Sequence, residues 1–358
     1  MFGFNKPTFL GIDFGTSSIK AVELRVDEGK VVLNNYAEIS LSAIDKGGDD
    51  AQGSYDARIT THLRALLDRL QPKSKRVYVA MPAFIGLVAL AEFPKMSEKE
   101  LQEAIQFEAH KYIPSPLDEV ALSWEIVGET PVSSTDAGSS GRSRVEVLLV
   151  AALNKEVERY ESYIRSVEYD MQLLELETFS IVRSVVDGDQ GVFLLVDIGA
   201  RATNLVLVEN GLVKVSRNLD VGGRDVTRTL TEGLNISEDR AEALKKSDKD
   251  YLNAQGAKLI FPALEAIGAE IKRILSMHRT KHPDRPIDGI ILSGGTAGLT
   301  GLAAYYTTLF NLPVTVGNPW KRIDYPRELE GAVDRMGTSF AVALGLALQG
   351  ANRSIKKK

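Results

Sequence analysis

Leu10-Gly-Ile-Asp-Phe-Gly-Thr-Ser-Ser-Ile-Lys20 is echoed far downstream by Leu194-Leu-Val-Asp-Ile-Gly-Ala-Arg-Ala-Thr-Asn204. Each is an apolar run ending in Asp-x-Gly, then small and hydroxyl residues, then a second apolar run (Ala21, Val22 and Leu24; Leu205 to Val208). A strand-length apolar run broken by Gly and small polar residues predicts a β-hairpin with a tight turn. Gly15 and Gly199 let the backbone approach a bound group and permit positive φ. Successive N–H groups in such a turn form an anion nest, and Thr16, Ser17, Ser18 and Thr203 add hydroxyl donors. A carboxylate beside a phosphate nest is repulsive unless a cation lies between them. Asp13 and Asp197 therefore imply a shared Mg²⁺ held through water. Two such hairpins facing each other would clamp the polyphosphate of a nucleotide.

A third segment, Ile287-Asp-Gly-Ile-Ile-Leu-Ser-Gly-Gly-Thr-Ala-Gly-Leu299, reads as a buried strand running into Gly294, Gly295 and Thr296. A Gly-Gly pair after a strand lets a flat ring lie against bare backbone, which suits adenine. The three elements in this order resemble the pattern of the actin-like ATPase superfamily.

Composition narrows the alternatives. A chain of 358 residues exceeds one ordinary core, so two lobes are expected. With 44% hydrophobic and 25% charged residues it has the make-up of a soluble globular protein. A net charge of −5 supplies no basic field for nucleic acid. The chain has no cysteine, which excludes disulfides, thiolate metal sites and a cysteine nucleophile and fits a reducing cytoplasm. Met1-Phe-Gly-Phe-Asn-Lys lacks signal-peptide architecture, and no run reaches the ~18–20 apolar residues of a bilayer span. The tail Arg353-Ser-Ile-Lys-Lys-Lys358 is basic and reads as a solvated end.

After the first hairpin come a strand at Lys30–Ile39, a polar loop and a helix with Ile59, Leu63, Leu66, Leu67 and Leu70 on one face. A strand at Arg76–Met81 follows, stopped by Pro82. This β-β-β-α-β order is half of a ribonuclease-H-like lobe. An apolar strand at Phe84–Phe93 then leads to a capping box, Ser97-Glu-Lys-Glu100, and a helix ended by Ile113-Pro-Ser-Pro116. Two strands, Glu119–Val127 and Val145–Leu153, flank the loop at 128–142. This strand–helix–strand–strand unit is read as an inserted subdomain. The expected division is a first lobe over 1–83, an insert over 84–176 and a return helix over 177–190. The second lobe takes 191–220 and 281–335, with a subdomain at 221–280 between them. A helix at 336–350 returns to the first lobe, and 351–358 is the tail.

Four stretches resemble the PilM family of type IV pilus assembly, relatives of the cell-division protein FtsA. They are Gly11–Val22, Glu108-Ala-His-Lys-Tyr-Ile-Pro-Ser-Pro116, Val196-Asp-Ile-Gly199 with Thr203-Asn204, and Val221-Gly-Gly-Arg-Asp-Val-Thr227. The second, after Pro94-Lys-Met-Ser-Glu-Lys-Glu-Leu101, is the most specific. The resemblance implies an α/β, actin-like two-lobe ATPase fold in which the insert replaces that of actin. It implies ATP and Mg²⁺ between the lobes, and a groove at the insert for the cytoplasmic N-terminal tail of the membrane protein PilN. By it, Asp13 organises Mg²⁺, Thr16 to Ser18 contact phosphates, and Lys20 neutralises the β/γ-phosphates. Asp197, Gly199 and Thr203 form a second clamp, and Gly294, Gly295 and Thr296 the adenosine clamp. Glu242 and Lys245 either reach the ribose or line a solvated helix face. Ala200-Arg201 departs from the usual small or hydroxyl pair, and Arg201 either adds charge at the phosphates or points to solvent.

No residue announces itself as the group that orients an attacking water, so at most a weak ATPase is expected. The leading reading is a cytoplasmic adaptor, peripheral to the inner membrane through its partner, with other pilus components and self-association as further partners. The alternatives are an FtsA-like filament former and an ATPase or small-molecule kinase of the same superfamily. The polar C-terminus does not match the amphipathic anchor of the former. The expected walls of the partner groove are Phe84–Phe93 and Lys111–Pro114.

Overall fold

The computed structural model describes residues 6–41, 52–130, 143–186, 188–252 and 259–356. The predicted polar loop after the third strand and the loop at 128–142 lie largely outside them, and of the tail expected over 351–358, residues 351–356 instead continue the last helix. Two five-stranded sheets share one plan. In the first, β1 (Thr8–Phe14), β2 (Ser18–Asp27) and β3 (Lys30–Ser40) run antiparallel, and β1 continues in parallel to β4 (Arg76–Met81) and β8 (Asp170–Leu176), in the order β3-β2-β1-β4-β8. The second repeats this with β9 (Val192–Ile198), β10 (Thr203–Glu209), β11 (Leu212–Leu219), β12 (Gly289–Ser293) and β13 (Val314–Val316), in the order β11-β10-β9-β12-β13. The repeated Asp-x-Gly sequence is thus the first turn of each of two equivalent sheets.

Alternation along β1 assigns its faces. Leu10, Ile12 and Phe14 enter a core roofed by α1 (Gln52–Leu70) and α3 (Asn154–Ser166) through Leu63, Leu66, Tyr160 and Ile164. The opposite face lies under α4 (Glu177–Val185) and α8 (Ala341–Lys356). These two helices form a layer shared by both lobes. Ile181, Val182, Val342 and Leu346 pack with Tyr78 and Ala80 of β4 and with Leu195, Val206 and Ile291 of the second sheet. Their crossing explains the small residues of 338–348. A Cβ on Gly345 would stand 1.9 Å from the Ser180 carbonyl oxygen. Arg183 ties the crossing further, donating to Gly345 O at 2.9 Å and pairing with Glu175 at 2.7 Å.

The insert is a three-stranded antiparallel sheet, β5 (Gly86–Pro94), β7 (Arg144–Leu153) and β6 (Val120–Thr130) in the order β5-β7-β6, with α2 (Glu98–Glu108) on one face. The Ser97 and Glu100 capping box opens α2 as the sequence predicts. The insert ends earlier than expected. β8 pairs in parallel with β4 from Arg76↔Asp170 to Met81↔Leu176, and Tyr160, Tyr163, Ile164 and Val167 join the Leu10 core. Residues 154–176 are therefore the crossover of a β-α-β unit of the first lobe, and the insert interrupts that unit. Of the expected groove walls, Ala91, Phe93 and Ile113 are interior, and the other residues of 84–93 and 111–114 are partly or fully exposed. Ala91 and Phe93 pack with Leu101 and Ile105, and Ile113 is buried beside Ala109 and Ala151, whereas Phe84 is exposed.

In the second lobe, α5 (Gly223–Leu234), α6 (Glu238–Lys245) and α7 (Pro262–Lys281) share one core with the sheet. Val226, Ala241, Leu264, Ile267 and Ile271 pack with Leu194, Val196 and Leu205. Among the described residues, no separate core marks the 221–280 unit that the sequence sets apart.

Candidate nucleotide site

The two hairpins meet at the C-terminal ends of β1 and β9, where the lobes face each other. Asp13 lies opposite Lys20 in the β1–β2 ladder, and Asp197 lies beside Ser293 in the β9–β12 ladder. Neither Gly15 nor Gly199 is among the residues with positive φ. Their small size serves close approach instead, since a Cβ would stand 3.0 Å from Ser18 O and 2.9 Å from Ala202 O. Positive φ is used at Gly294 (φ 86°), whose absent side chain would collide with Ile198 O at 2.5 Å. Gly295 beside it faces open space, with no atom within 4 Å of a built Cβ.

Gly223, at the start of α5, is where the second lobe's predicted residues converge. Gly223 N donates to Gly199 O and Arg224 N to Ala200 O, both at 2.8 Å, which staples the helix N-terminus onto the second hairpin. Asp225 closes the turn by accepting from Gly222 N at 2.9 Å. A Cβ on Gly223 would lie 2.4 Å from Thr296 Oγ1 and 3.3 Å from Lys245 Nζ. Lys245 is buried and donates to Glu242 at 2.6 Å and Thr227 Oγ1 at 3.0 Å. Burial lowers the Lys245 ammonium against the pull of Glu242. Burial acts to raise Glu242, but hydrogen bonds from Lys245 and Thr227 outweigh it and leave its carboxyl below the usual range. Of the two sequence readings, the solvated helix face is excluded for Lys245.

Other predicted residues have partners within the protein. Thr203 Oγ1 donates to Val221 O at 2.7 Å, so this buried hydroxyl braces the strand end. Arg201 keeps its side chain 58% exposed to solvent. It donates to Asp220 at 3.1 Å, and its guanidinium lies 5.7 Å from the centre of the Phe84 ring. Thr16 O accepts from Arg224 at 3.2 Å, joining the first hairpin to the helix behind the second. Ser17 O accepts from Leu41 N, and Ser18 is buried.

Charge gives the cleft its character. Burial pushes Asp13 up to about 6, with Lys20 countering and Asp197 adding to the rise. Burial likewise pushes Asp197 up to about 6, with the Ser293 hydroxyl and Lys20 working the other way. Sequence reading missed a third member, Glu177, at the first turn of α4. Burial, then the charge of Asp197, pushes it up to about 8, although it accepts from Ala83 N at 2.9 Å. No motif flags Glu177; only the α4 crossing brings it here. Three mutually repelling carboxylates with Lys20 as offset suit a divalent cation. Among the described residues no three carboxylates or imidazoles converge as a direct ligand shell. A Mg²⁺ carried on phosphates and reached through water by Asp13 and Asp197 fits this donor set. A separate concavity of about 660 Å³, lined by Asn318, Trp320, Lys321, Asp324 and Asp334, contains none of these residues.

The raised carboxyls give a test. The folded protein binds protons more tightly here than the unfolded chain does, so these groups destabilise it as pH rises from about 4 through about 8. Asp197→Asn is expected to melt higher than wild type in chelator at about pH 7.5, by roughly 1–3 kcal/mol, with the gain gone near pH 4. Thermal melts at both pH values check this; a variant less stable at both would contradict it.

The sequence matches the family described as type IV pilus assembly protein PilM over residues 11–351. Among relatives, the cell division protein FtsA of Neisseria meningitidis is 22% identical over 94% of this chain and 88% of its own length. FtsA of Bacillus subtilis is 23% identical over 88% and 79%. Among solved structures, a chain of the PilM-PilN type IV pilus biogenesis complex matches with a TM-score of 0.77 at 26% identity, covering 96% of this chain and 98% of that one. The ethanolamine utilization protein EutJ of Carboxydothermus hydrogenoformans gives 0.57 at 15% identity, over 96% and 90%. MreB5 of Spiroplasma citri bound to AMPPNP gives 0.51 at 15%, over 98% and 97%. At such identities these last two speak to the fold, which is the actin-like two-lobe fold. The repeated sheets, the hairpin pair and the match along nearly the whole chain agree, and the protein belongs to the PilM family of type IV pilus assembly proteins.

Proposed function

We propose that this chain is an ATP-binding adaptor of type IV pilus assembly. It holds ATP with Mg²⁺ between its lobes and recruits the cytoplasmic N-terminal tail of PilN through its insert. The observation that carries the nucleotide half is the carboxylate cluster lying between two glycine hairpins, with Gly294 and Gly295 beside it. The N–H groups of Gly15 to Ser18 and of Gly199 to Arg201 would cradle phosphates, and Lys20 would offset their charge. Bound Mg²⁺ would supply the positive charge that reconciles phosphates with Asp13 and Asp197. Gly295 offers the bare surface for a base, and Lys245 with Glu242 stands at the ribose side of Thr296. The AMPPNP-bound relative supports this reading of the fold's cleft.

The partner half rests on the likeness to the PilM-PilN complex and on one surface of the insert. A groove of about 440 Å³ runs between α2 and β6, walled by Ile105, Leu117, Leu122 and Trp124 and edged by Gln102, Gln106 and Asp118. Phe107, next to it on α2, is 74% exposed. Apolar walls with a polar rim suit a short peptide with a few apolar anchors. No described helix is long and apolar enough to cross a membrane, so a membrane partner would supply the anchorage. A synthetic PilN tail peptide is expected to bind wild type, and Trp124→Ala to weaken it by about 5- to 100-fold while ATP affinity stays unchanged. Unaltered peptide binding in the variant would place the tail elsewhere.

A further inference from the structure

The chain joins the insert only to the first lobe, at Gly86 and Leu153, yet the insert also grips the second. Its face opposite α2 meets both lobes. Val88 packs against the first lobe's core and against the cluster that contains Val206, Val208 and Val213. On that face Glu146 leans over Gly128, where a Cβ would stand 2.7 Å from its carboxylate. The missing side chain leaves room for the carboxylate to accept from Lys214 of β11 at 2.5 Å. Both side chains are withdrawn from water, 15% exposed for Lys214 and 21% for Glu146.

A second contact lies at the neck of the insert. The turn Ala83–Ile85 carries the chain from β4 into β5. Its Ala83 N–H is held by Glu177, and its Phe84 ring lies against Arg201 of the second hairpin. Glu177 belongs to the carboxylate cluster, and Arg201 lies in the turn that follows Asp197.

We propose that these contacts form a clasp through which closure of the lobes fixes the pose of the insert. The inference rests on the nucleotide reading of the cleft, and it assigns that site a mechanical output. A half-buried ion pair favours two states. With the lobes together the charges satisfy each other; with the lobes apart both return to water. An intermediate geometry leaves a desolvated charge unpaired, which is the costly arrangement. The clasp is therefore made or broken as a unit, as a switching element requires. The insert surface between α2 and β6 then moves with the lobe that carries the second phosphate hairpin.

The test is amide hydrogen exchange with and without ATP and Mg²⁺, on wild type, Lys214→Glu, Glu146→Lys and the doubly reversed pair. In wild type, nucleotide is expected to slow exchange in both hairpins and, by about tenfold or more, in residues 83–90. Each single reversal should abolish the response of 83–90 while keeping that of the hairpins, and the double reversal should restore it. The milder Lys214→Met and Glu146→Gln give the same readout should a reversal fail to fold. A response of 83–90 that survives in the single variants overturns the clasp, as does hairpin protection in wild type without any change at 83–90. Hairpins that ignore nucleotide altogether overturn the nucleotide reading and the clasp's trigger with it.

Discussion

ATP affinity is expected to fall by at least about a hundredfold when Asp13 and Lys20 are both replaced by alanine, while the fold survives. The two face each other across the β1–β2 ladder at the mouth of the first hairpin. A charge-assisted contact contributes roughly 1.5–3 kcal/mol, and the double variant removes both the lysine's contact with phosphate and the carboxylate's hold on the cation. Removing both avoids leaving either member of this facing pair buried without the other, which is why the pair is preferred to either single variant. Lys20 loses a contact with Glu38 at 3.5 Å, but that partner is half exposed and the pair contributes little to stability. Calorimetric titration with ATP, alongside a thermal melt, separates binding from folding. Unchanged affinity in a folded double variant would move the site away from this hairpin.

The second large effect is on stability. Gly345→Val is expected to destabilise the protein by about 2–4 kcal/mol or more. The cause is local: the new side chain meets the Ser180 backbone, which cannot yield as a side chain could. The helices that would be pushed apart, α4 and α8, are the layer common to both lobes, and α4 carries Glu177 into the cleft. Gly298→Ala serves as the control, because a Cβ there meets no atom within 4 Å; its change should stay within about 0.5 kcal/mol. Chemical denaturation of both variants checks the contrast. Equal stabilities would mean that the helix crossing is not the constraint described.

Much of the fold is legible because its signals are local. Asp-x-Gly turns between apolar runs, the Ser97 to Glu100 capping box and the Ser-Gly-Gly-Thr loop are each settled by neighbours in sequence, and they fall where expected. The placement of residues 154–176 is not local. Only the parallel ladder from Asp170 to Leu176 says which sheet this helix and strand join. Glu177 escaped notice for a similar reason. Its role depends on the approach of Asp13 and Asp197 from two sheets, and a carboxylate in the first turn of a helix is ordinary by itself. Arg201 and Thr203 show the converse. Their residue types suit phosphate, but their observed partners are remote in sequence: Phe84 for Arg201 and Val221 for Thr203. Apolar content alone could not decide whether Phe93 and Ile113 lined a groove or filled a core.

The central claim is that both hairpins and the Gly294 loop together hold one nucleotide. A crystal structure with a non-hydrolysable ATP analogue and Mg²⁺ tests it most directly. The expected result is phosphates between Gly15–Ser18 and Gly199–Arg201, Mg²⁺ reached through water by Asp13 and Asp197, and the base against Gly294 and Gly295. Nucleotide bound instead in the concavity lined by Trp320 and Asp334, or a cleft left empty at saturating analogue, would contradict it.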